Sequence, residues 1–285
     1  MPSLIDIRRR IRSVKNTQQI TKAMKMVSAA KLRRAQDRVI AARPYVATLR
    51  KVLANVAAAA EADQQAGANP LMARRDERRI LLVLITSDKG LAGAFNSNLT
   101  RGAQRFISEH VGTDVTLELI GRKGRDFFRK RGARISGETI NMARPSSEAA
   151  APIAGKAMEM YRKSEVDSVY LLYNEFKSVM AQRLTLMQVL PVAVTERAAP
   201  VDYIFEQPPA EMLESLLPRY VEMEFFRALL ETAAAEHAAR MTAMDAATSN
   251  AAEMIDKLTL FMNRVRQASI TKEIIEVVSG AAAEA

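Results

Sequence analysis

Residues 226–275 read FRALLETAAAEHAARMTAMDAATSNAAEMIDKLTLFMNRVRQASITKEII, and their spacing decides the fold. Phe226, Leu230, Ala233, His237, Met244, Ala247, Ala251, Met254, Leu258, Phe261, Val265, Ala268 and Ile275 fall on one alternating four-and-three register, with Arg240 as a charged position on it. That spacing marks one helix with a seam for another helix, and its length imposes a left-handed supercoil. After Pro218 nothing in the run strongly breaks a helix until Gly280. Alanine along the seam lets a partner helix come close. His237 on this stripe reads as a core histidine rather than a ligand, and Met241, Met244, Met254 and Met262 as core filling.

The partner for this seam lies at the other end of the chain. Leu4, Ile7, Ile11 and Val14 begin a similar register, which resumes at Leu32, Ala35, Val39, Ala42, Val46, Leu49, Leu53 and Val56. Between them the register meets Gln18, Thr21, Lys25 and Ser28, while apolar residues shift to Ile20, Met24 and Val27. The spacing predicts a seam that rotates or loosens there, and Pro44 predicts a bend or break. Some 55 helical residues at ~1.5 Å each would extend about 80 Å. Charge agrees with the pairing. Residues 1–60 carry 14 Lys and Arg against 2 acids, and residues 211–285 carry 7 against 12. An antiparallel pair is the simplest closure for arms joined by a middle domain, with the longer C-terminal arm projecting beyond its partner. An ordinary helical bundle is the plainer reading of the same periodicity.

Between the arms the pattern changes period. EADQQAGANP, residues 61–70, reads as a polar linker. Strands are predicted at 79–86, 115–120, 133–140, 169–176 and 180–192, the last two as a hairpin, with helices at 96–110, 122–131 and 146–163. Alternation of strand and helix predicts a mostly parallel, Rossmann-like sheet. The expected division is an N-terminal coiled-coil helix over 1–60, a linker over 61–78, a globular α/β domain over 79–208 and a C-terminal coiled-coil helix over 209–285.

Composition restricts the chemistry. The chain has 285 residues, a net charge of +10, no cysteine and two histidines, His110 and His237. Disulfides, thiolate metal sites and cysteine nucleophiles are excluded, and no triad or zinc site can be assembled convincingly. Two strand-to-helix turns, TSDKGLAGAFN (86–96) and GRKG (121–124), sit where phosphate is often cradled. Neither has the Gly-x-x-x-x-Gly-Lys or Gly-x-Gly-x-x-Gly spacing. The reading is of a non-catalytic chain without a cofactor. The start lacks the apolar core of a secretory signal, and no stretch approaches a membrane span. A basic coiled-coil protein that binds nucleic acid or acts as a scaffold is the alternative. The acidic second arm and an aromatic content of 5% weigh against it.

Three segments are more specific. IRRRIRSVKNTQQITKAMKMVSAAKLRRAQ near the start, TSDKGLAGAFN in the centre and RQASITKEIIEVVSGAA near the end closely resemble the gamma-subunit family of bacterial F-type ATP synthases, in the right order and across both arms. Ala92 stands where many relatives have Cys. The family also has chloroplast members with a redox-controlled insertion, which this sequence lacks, so thiol regulation is not expected.

The resemblance implies a rotor shaft that carries torque between the proton-driven c ring and a hexamer of three alpha and three beta subunits, with nucleotide chemistry on beta. The implied partners are alpha, beta, epsilon and the c ring, with one copy per complex and no nucleic acid. The implied location is the cytoplasmic face of the bacterial inner membrane. Arg266, Gln267 and Thr271 match positions that meet a beta loop, and Arg240 one that meets another surface. Met24 matches a position facing an acidic beta segment, which the basic residues Lys25, Lys31 and Arg34 also suit. Tyr203 and Glu206 match positions that meet the c-ring loops. The C-terminal tip is implied to turn within a sleeve of the hexamer.

Overall fold

The computed structural model describes residues 3–62, 69–142, 145–193 and 205–284, with side chains described to residue 60 in the first segment and to residue 279 in the last. Two very long helices bracket a five-stranded sheet. They are α1 (Leu4–Ala62, 59 residues) and α5 (Pro209–Glu284, 76 residues). Between them run β1 (Arg79–Ile85), α2 (Phe95–Glu109), β2 (Asp114–Ile120), α3 (Arg122–Arg129), β3 (Ile135–Thr139), α4 (Ser147–Arg162), β4 (Ser168–Phe176) and β5 (Gln182–Leu190). Most of the predicted linker, residues 63–68, lies outside the described residues. The chain forms two compact units, residues 1–28 with 241–285, and residues 29–240.

In the larger unit the sheet order is β3-β2-β1-β4-β5. β1 pairs in parallel with β2 and β4, β2 in parallel with β3, and β4 antiparallel with β5. The doubly wound arrangement follows from composition. β1 reads RILLVLI, with every residue after Arg79 buried, as a central strand covered on both faces must be. β5 is an edge strand and leaves Leu184 and Leu186 partly exposed. Helix α4 starts at the N-cap Ser146, whose hydroxyl accepts from the Ala149 N–H, and packs Ala154, Ala157, Met158 and Tyr161 into the core. Asp167 ties the start of the sheet. Its carboxylate accepts from the Arg79 side chain at 2.7 and 3.2 Å and from the Arg79 N–H at 2.9 Å, which holds its pKa below the usual carboxylate range.

The same unit contains the inner parts of both long helices, and one core joins them to the sheet. Leu53, Val56, Ala57 and Ala60 of α1 and Leu213, Leu217, Val221, Phe225, Ala228 and Leu229 of α5 pack with β1, β4 and α4. The helices are antiparallel here: Arg43 bonds Glu231, and Arg50, one heptad on, bonds Glu224, one heptad back.

In the smaller unit the ends of the helices pair antiparallel as well. The hydroxyls of Thr21 and Thr248 meet at 2.8 Å, and Lys25 bonds Asp245 at 2.6 Å. Extending this register brings Leu4 level with Val265, and residues 270–279 are all exposed.

Three sequence expectations need correction. First, the α1 seam does not rotate. Thr21 and Ser28 are buried on the original register, while Ile20 and Val27 are 60% and 54% exposed. Thr21 can be buried because its hydroxyl reaches both Thr248 and the Gln18 carbonyl. Second, α1 stays helical through Pro44. Pro44 lies on an exposed face, as does Ile40, whose carbonyl loses its helical donor and can bond water instead. Third, half of the α5 seam is displaced by one residue beyond Met244. Met244, Ala251, Leu258 and Val265 keep their inward places and Ala247 stays half-buried beside Thr248, but Ile255 and Met262 turn inward instead of Met254 and Phe261. Met254 and Phe261 are consequently exposed, at 52% and 42%.

Candidate functional site

The loops at the carboxyl ends of β1, β2 and β3 border a hollow in the larger unit. The second glycine turn, at the start of α3, is already satisfied within the chain. Asp88 accepts from the Arg122 N–H at 3.0 Å, the Ser87 carbonyl from the Lys123 N–H at 3.0 Å, and the Thr86 hydroxyl from the Gly124 N–H at 2.9 Å. The donors at the start of α3 that could have cradled a phosphate are therefore occupied by protein. Gly121 is required here by its φ of 92° and because a side chain would collide with the Thr86 carbonyl. Ser87 completes the turn by donating to the Lys89 carbonyl at 2.7 Å, with Asn96 also in reach.

Arg240 fastens this turn to α5. Its guanidinium donates to the Gly90 carbonyl at 3.1 Å and to Glu236 at 2.7 Å, and the residue is 8% exposed. Burial raises the pKa of Glu236, an effect that Arg240 opposes. Next to it, burial pushes His237 down to about 4, helped by Arg240 and then Lys31, so its ring is neutral near pH 7. Lys31 and Arg34 are exposed on α1 and border the same concavity. These three sequence-selected residues thus lie around one hollow. Arg240 acts inside the chain, whereas Lys31 and Arg34 join no ion pair among the described residues.

The remaining selected residues lie elsewhere. Glu206 is exposed just before α5 and borders a separate groove with Val52 and Met212. Tyr203 lies outside the described residues. In the smaller unit Met24 is half-buried, and Lys25 is held by Asp245. That pair is exposed on both sides, so it adds little stability. Arg266, Gln267 and Thr271 are exposed on α5, and the Thr271 hydroxyl donates to the Gln267 carbonyl at 2.9 Å. Around and beyond them lie Phe261, Ile270, Ile274, Ile275, Val277 and Val278, all exposed. An apolar surface of this extent on a helix marks an interaction site.

The residues that sequence reasoning missed are two buried acids of α5. Glu224 and Glu231 are each 1% exposed. Glu224 is gripped by Arg50 and by Arg227, the latter at 2.8 Å. Glu231 accepts from Arg43 at 3.0 Å and from the Phe176 N–H at 3.0 Å, while Arg43 also donates to the Phe176 carbonyl at 3.1 Å. The signal was a matched spacing of seven between the two arginines and between the two acids, visible only once the helices are placed in register. Among the described residues there is no group of acids or histidines placed to hold a metal ion, and no helix long and apolar enough to cross a membrane.

Residues 3–283 match the family model described as ATP synthase. The chain is 74% identical to the ATP synthase gamma chain of Solibacter usitatus (strain Ellin6076) over 284 residues, covering 99% of both chains. It is 51% identical to that of Geobacter sp. (strain M21), covering 98% of both. Among solved structures it resembles a chain of the central stalk and c ring of Tetrahymena thermophila mitochondrial ATP synthase, with a TM-score of 0.62 and 26% identity, over 80% of this chain and 99% of that one. A chain of the Euglena gracilis mitochondrial ATP synthase aligns with a TM-score of 0.68 over 98% of this chain and 94% of that one; at 18% identity it supports the fold.

Proposed function

We infer that this chain, which belongs to the ATP synthase gamma-chain family, is the central rotor shaft of an F-type ATP synthase. The observation that carries this is full-length identity of 74% to an ATP synthase gamma chain, in a molecule whose two long helices pair antiparallel within each compact unit. A shaft needs stiffness and grip. Helix–helix pairing supplies the first, and the Glu224 and Glu231 clusters, which bind α1, α5 and β4 together, supply the second.

The chain itself is the non-catalytic stalk subunit. Its partners are the alpha and beta subunits in a three-to-three hexamer, the epsilon subunit and the c ring, with one copy per complex. On this reading the active sites lie on beta, and the chain is held peripherally at the cytoplasmic face of the inner membrane. The four-part division at residues 60, 78 and 208 belongs to the same proposal. So do the individual contacts. The exposed Arg266, Gln267 and Thr271 meet a beta loop, and Met24, with the basic residues Lys25, Lys31 and Arg34, faces an acidic beta segment. Tyr203 and Glu206 meet the c ring, and Arg240 meets another surface of the complex. The exposed apolar tip turns inside the hexamer, where weak, non-directional contacts leave rotation unhindered.

Reconstitution tests the reading. The chain is mixed with alpha and beta subunits from the same source, and complex size and ATP hydrolysis are followed. One copy per six large subunits, with turnover that depends on it, is expected. Failure to assemble with matched subunits would refute the assignment and return the nucleic-acid alternative, which a salt titration against DNA then tests.

A further inference from the structure

The hollow at the carboxyl ends of β1 and β2 is a cavity of about 500 Å³, walled by the turn at residues 86–89 and by α1 and α5, all within the larger unit. Its charge is one-sided. Among the described residues Lys31, Arg34, Arg38, Lys89, Arg122 and Arg240 line it, against only Asp88 and Glu236. Arg240 is bonded to Glu236, and Asp88 accepts from the Arg122 backbone. The other five cationic side chains form no hydrogen bond or ion pair among the described residues. Like charges gathered on one hollow repel one another and attract anions.

A second observation comes from inside the wall. Thr232 is 4% exposed, yet among the described residues its hydroxyl has no partner, and the buried Nδ1 of His237 has none either. Both residues line the cavity. Buried polar atoms without partners are rare, and each calls for a ligand or a bound water. The volume is in the range of small-molecule sites, and the position, beyond the carboxyl ends of a doubly wound sheet, is where such folds place ligands. Because the start of α3 is satisfied by Asp88, Ser87 and Thr86, the ligand would be held by side chains instead of a glycine-turn cradle.

We propose that this cavity binds a small phosphate-bearing anion, with Arg38, Arg122 and Lys89 holding its charge and Thr232 supplying a buried hydrogen bond. Arg38 and Arg122 face the hollow from α1 and from the start of α3, so a multiply charged phosphate is gripped from two elements. The buried hydroxyl of Thr232 donates to or accepts from the same group. The site is separate from the rotor assignment, which stands or falls by assembly.

The test uses the full chain at fixed ionic strength, with inorganic phosphate, pyrophosphate and ATP as probes in equilibrium dialysis and thermal melting. Saturable binding of one equivalent and a rise in Tm are expected with at least one probe. Arg38→Gln/Arg122→Gln should lose at least tenfold in affinity. Lys257→Gln/Lys272→Gln, which removes the same charge from exposed positions of α5, should lose less than twofold. Thr232→Val, which changes little but the hydroxyl, should lose threefold or more. Tighter binding of ATP than of pyrophosphate would identify a nucleotide, and equal binding a bare phosphate chain. Absence of saturable binding with all three probes, or equal losses in the two double variants, would overturn the site.

Discussion

Arg43 and Glu231 lie 188 residues apart in sequence and close a ring around one peptide group. Arg43 donates to Glu231 at 3.0 Å and to the Phe176 carbonyl at 3.1 Å, while the Phe176 N–H donates to Glu231 at 3.0 Å. One side chain from each long helix thereby holds the end of β4. Seven residues along each helix, Arg50 meets Glu224, which also accepts from Arg227. The two clusters differ in redundancy, since Glu224 has two guanidinium partners and Glu231 has one.

That difference sets an order of stabilities. Arg43→Ala leaves a buried carboxylate with a single backbone donor, and removing one partner of a buried pair costs about 3 kcal/mol. Arg50→Ala leaves Glu224 with Arg227, and the cost should be about 1 kcal/mol. Glu231→Gln keeps the fit and leaves Arg43, whose side chain is 47% exposed, free to meet water, so it should fall between them. Urea unfolding of the three full-length variants ranks them. Equal losses for Arg43→Ala and Arg50→Ala would refute the redundancy argument.

The exposed apolar positions of the smaller unit make a different prediction. Phe261 and Ile274 are 42% and 57% exposed, so little of their packing is formed within the chain. Phe261→Ser and Ile274→Ser should leave Tm within about 1 °C, reduce self-association and weaken assembly with the alpha and beta subunits severalfold, because the apolar area they bury would be in the partner. Ser28 gives the opposite outcome. It is 3% exposed on the seam, and Ser28→Lys should lower Tm even without partners, because it drives a charge into the helix contact. Light scattering and thermal melting separate the two classes.

His237 gives the chain a pH-dependent weakness. Unfolded, it takes a proton below its ordinary value near 6.5. Folded, burial with Arg240 and Lys31 nearby holds it down to about 4. The unfolded state therefore binds more protons between these values, and stability falls as pH drops from about 6.5 towards 4. Neighbouring Glu236, whose pKa is raised, acts in the opposite sense, adding stability below its folded value and losing it as pH rises. The difference between the parent and His237→Gln isolates the histidine. The variant should show a shallower decline in Tm over this window, and an identical profile would count against the buried neutral ring.

Much of the architecture was legible because it rests on strong periodicities. RILLVLIT reads as a candidate buried strand, and residues 169–192 read as a hairpin beside the four-and-three spacing of the arms. What the sequence hid was the phase of the seams. An apolar residue on a coiled-coil stripe reads as core, but Ile20, Val27 and Phe261 face outward, with Thr21 and Ser28 buried in place of the first two and Met262 half-buried in place of the third. Apolar residues kept for a partner and apolar residues kept for the core have the same composition, so their spacing alone does not separate them. The Glu224 and Glu231 clusters were hidden for another reason, because their pairing depends on a register between segments almost two hundred residues apart. Family resemblance points to positions of contact and does not distinguish a side chain that reaches a partner from one that braces the chain.

Arg240 and Arg266 show that distinction and allow it to be measured. Both were selected as partner contacts, yet Arg240 is 8% exposed, bonded to Glu236 and to the Gly90 carbonyl, while Arg266 is exposed on α5. Removing Arg240 strands a largely buried acid and frees the glycine turn from α5, so Arg240→Ala should destabilise the isolated chain by about 2 kcal/mol. Arg240→Lys keeps the charge but not the two-sided grip, and should recover part of this. Arg266→Ala should leave the melting profile of the isolated chain unchanged and lower ATP turnover of the reconstituted complex. Both variants are then compared in one assay pair, melting alone and turnover in the complex. Loss of turnover in Arg240→Ala with an unchanged melting profile would mean that its contacts within the chain matter less than a contact with the partner, and that the bracing role assigned to it is wrong.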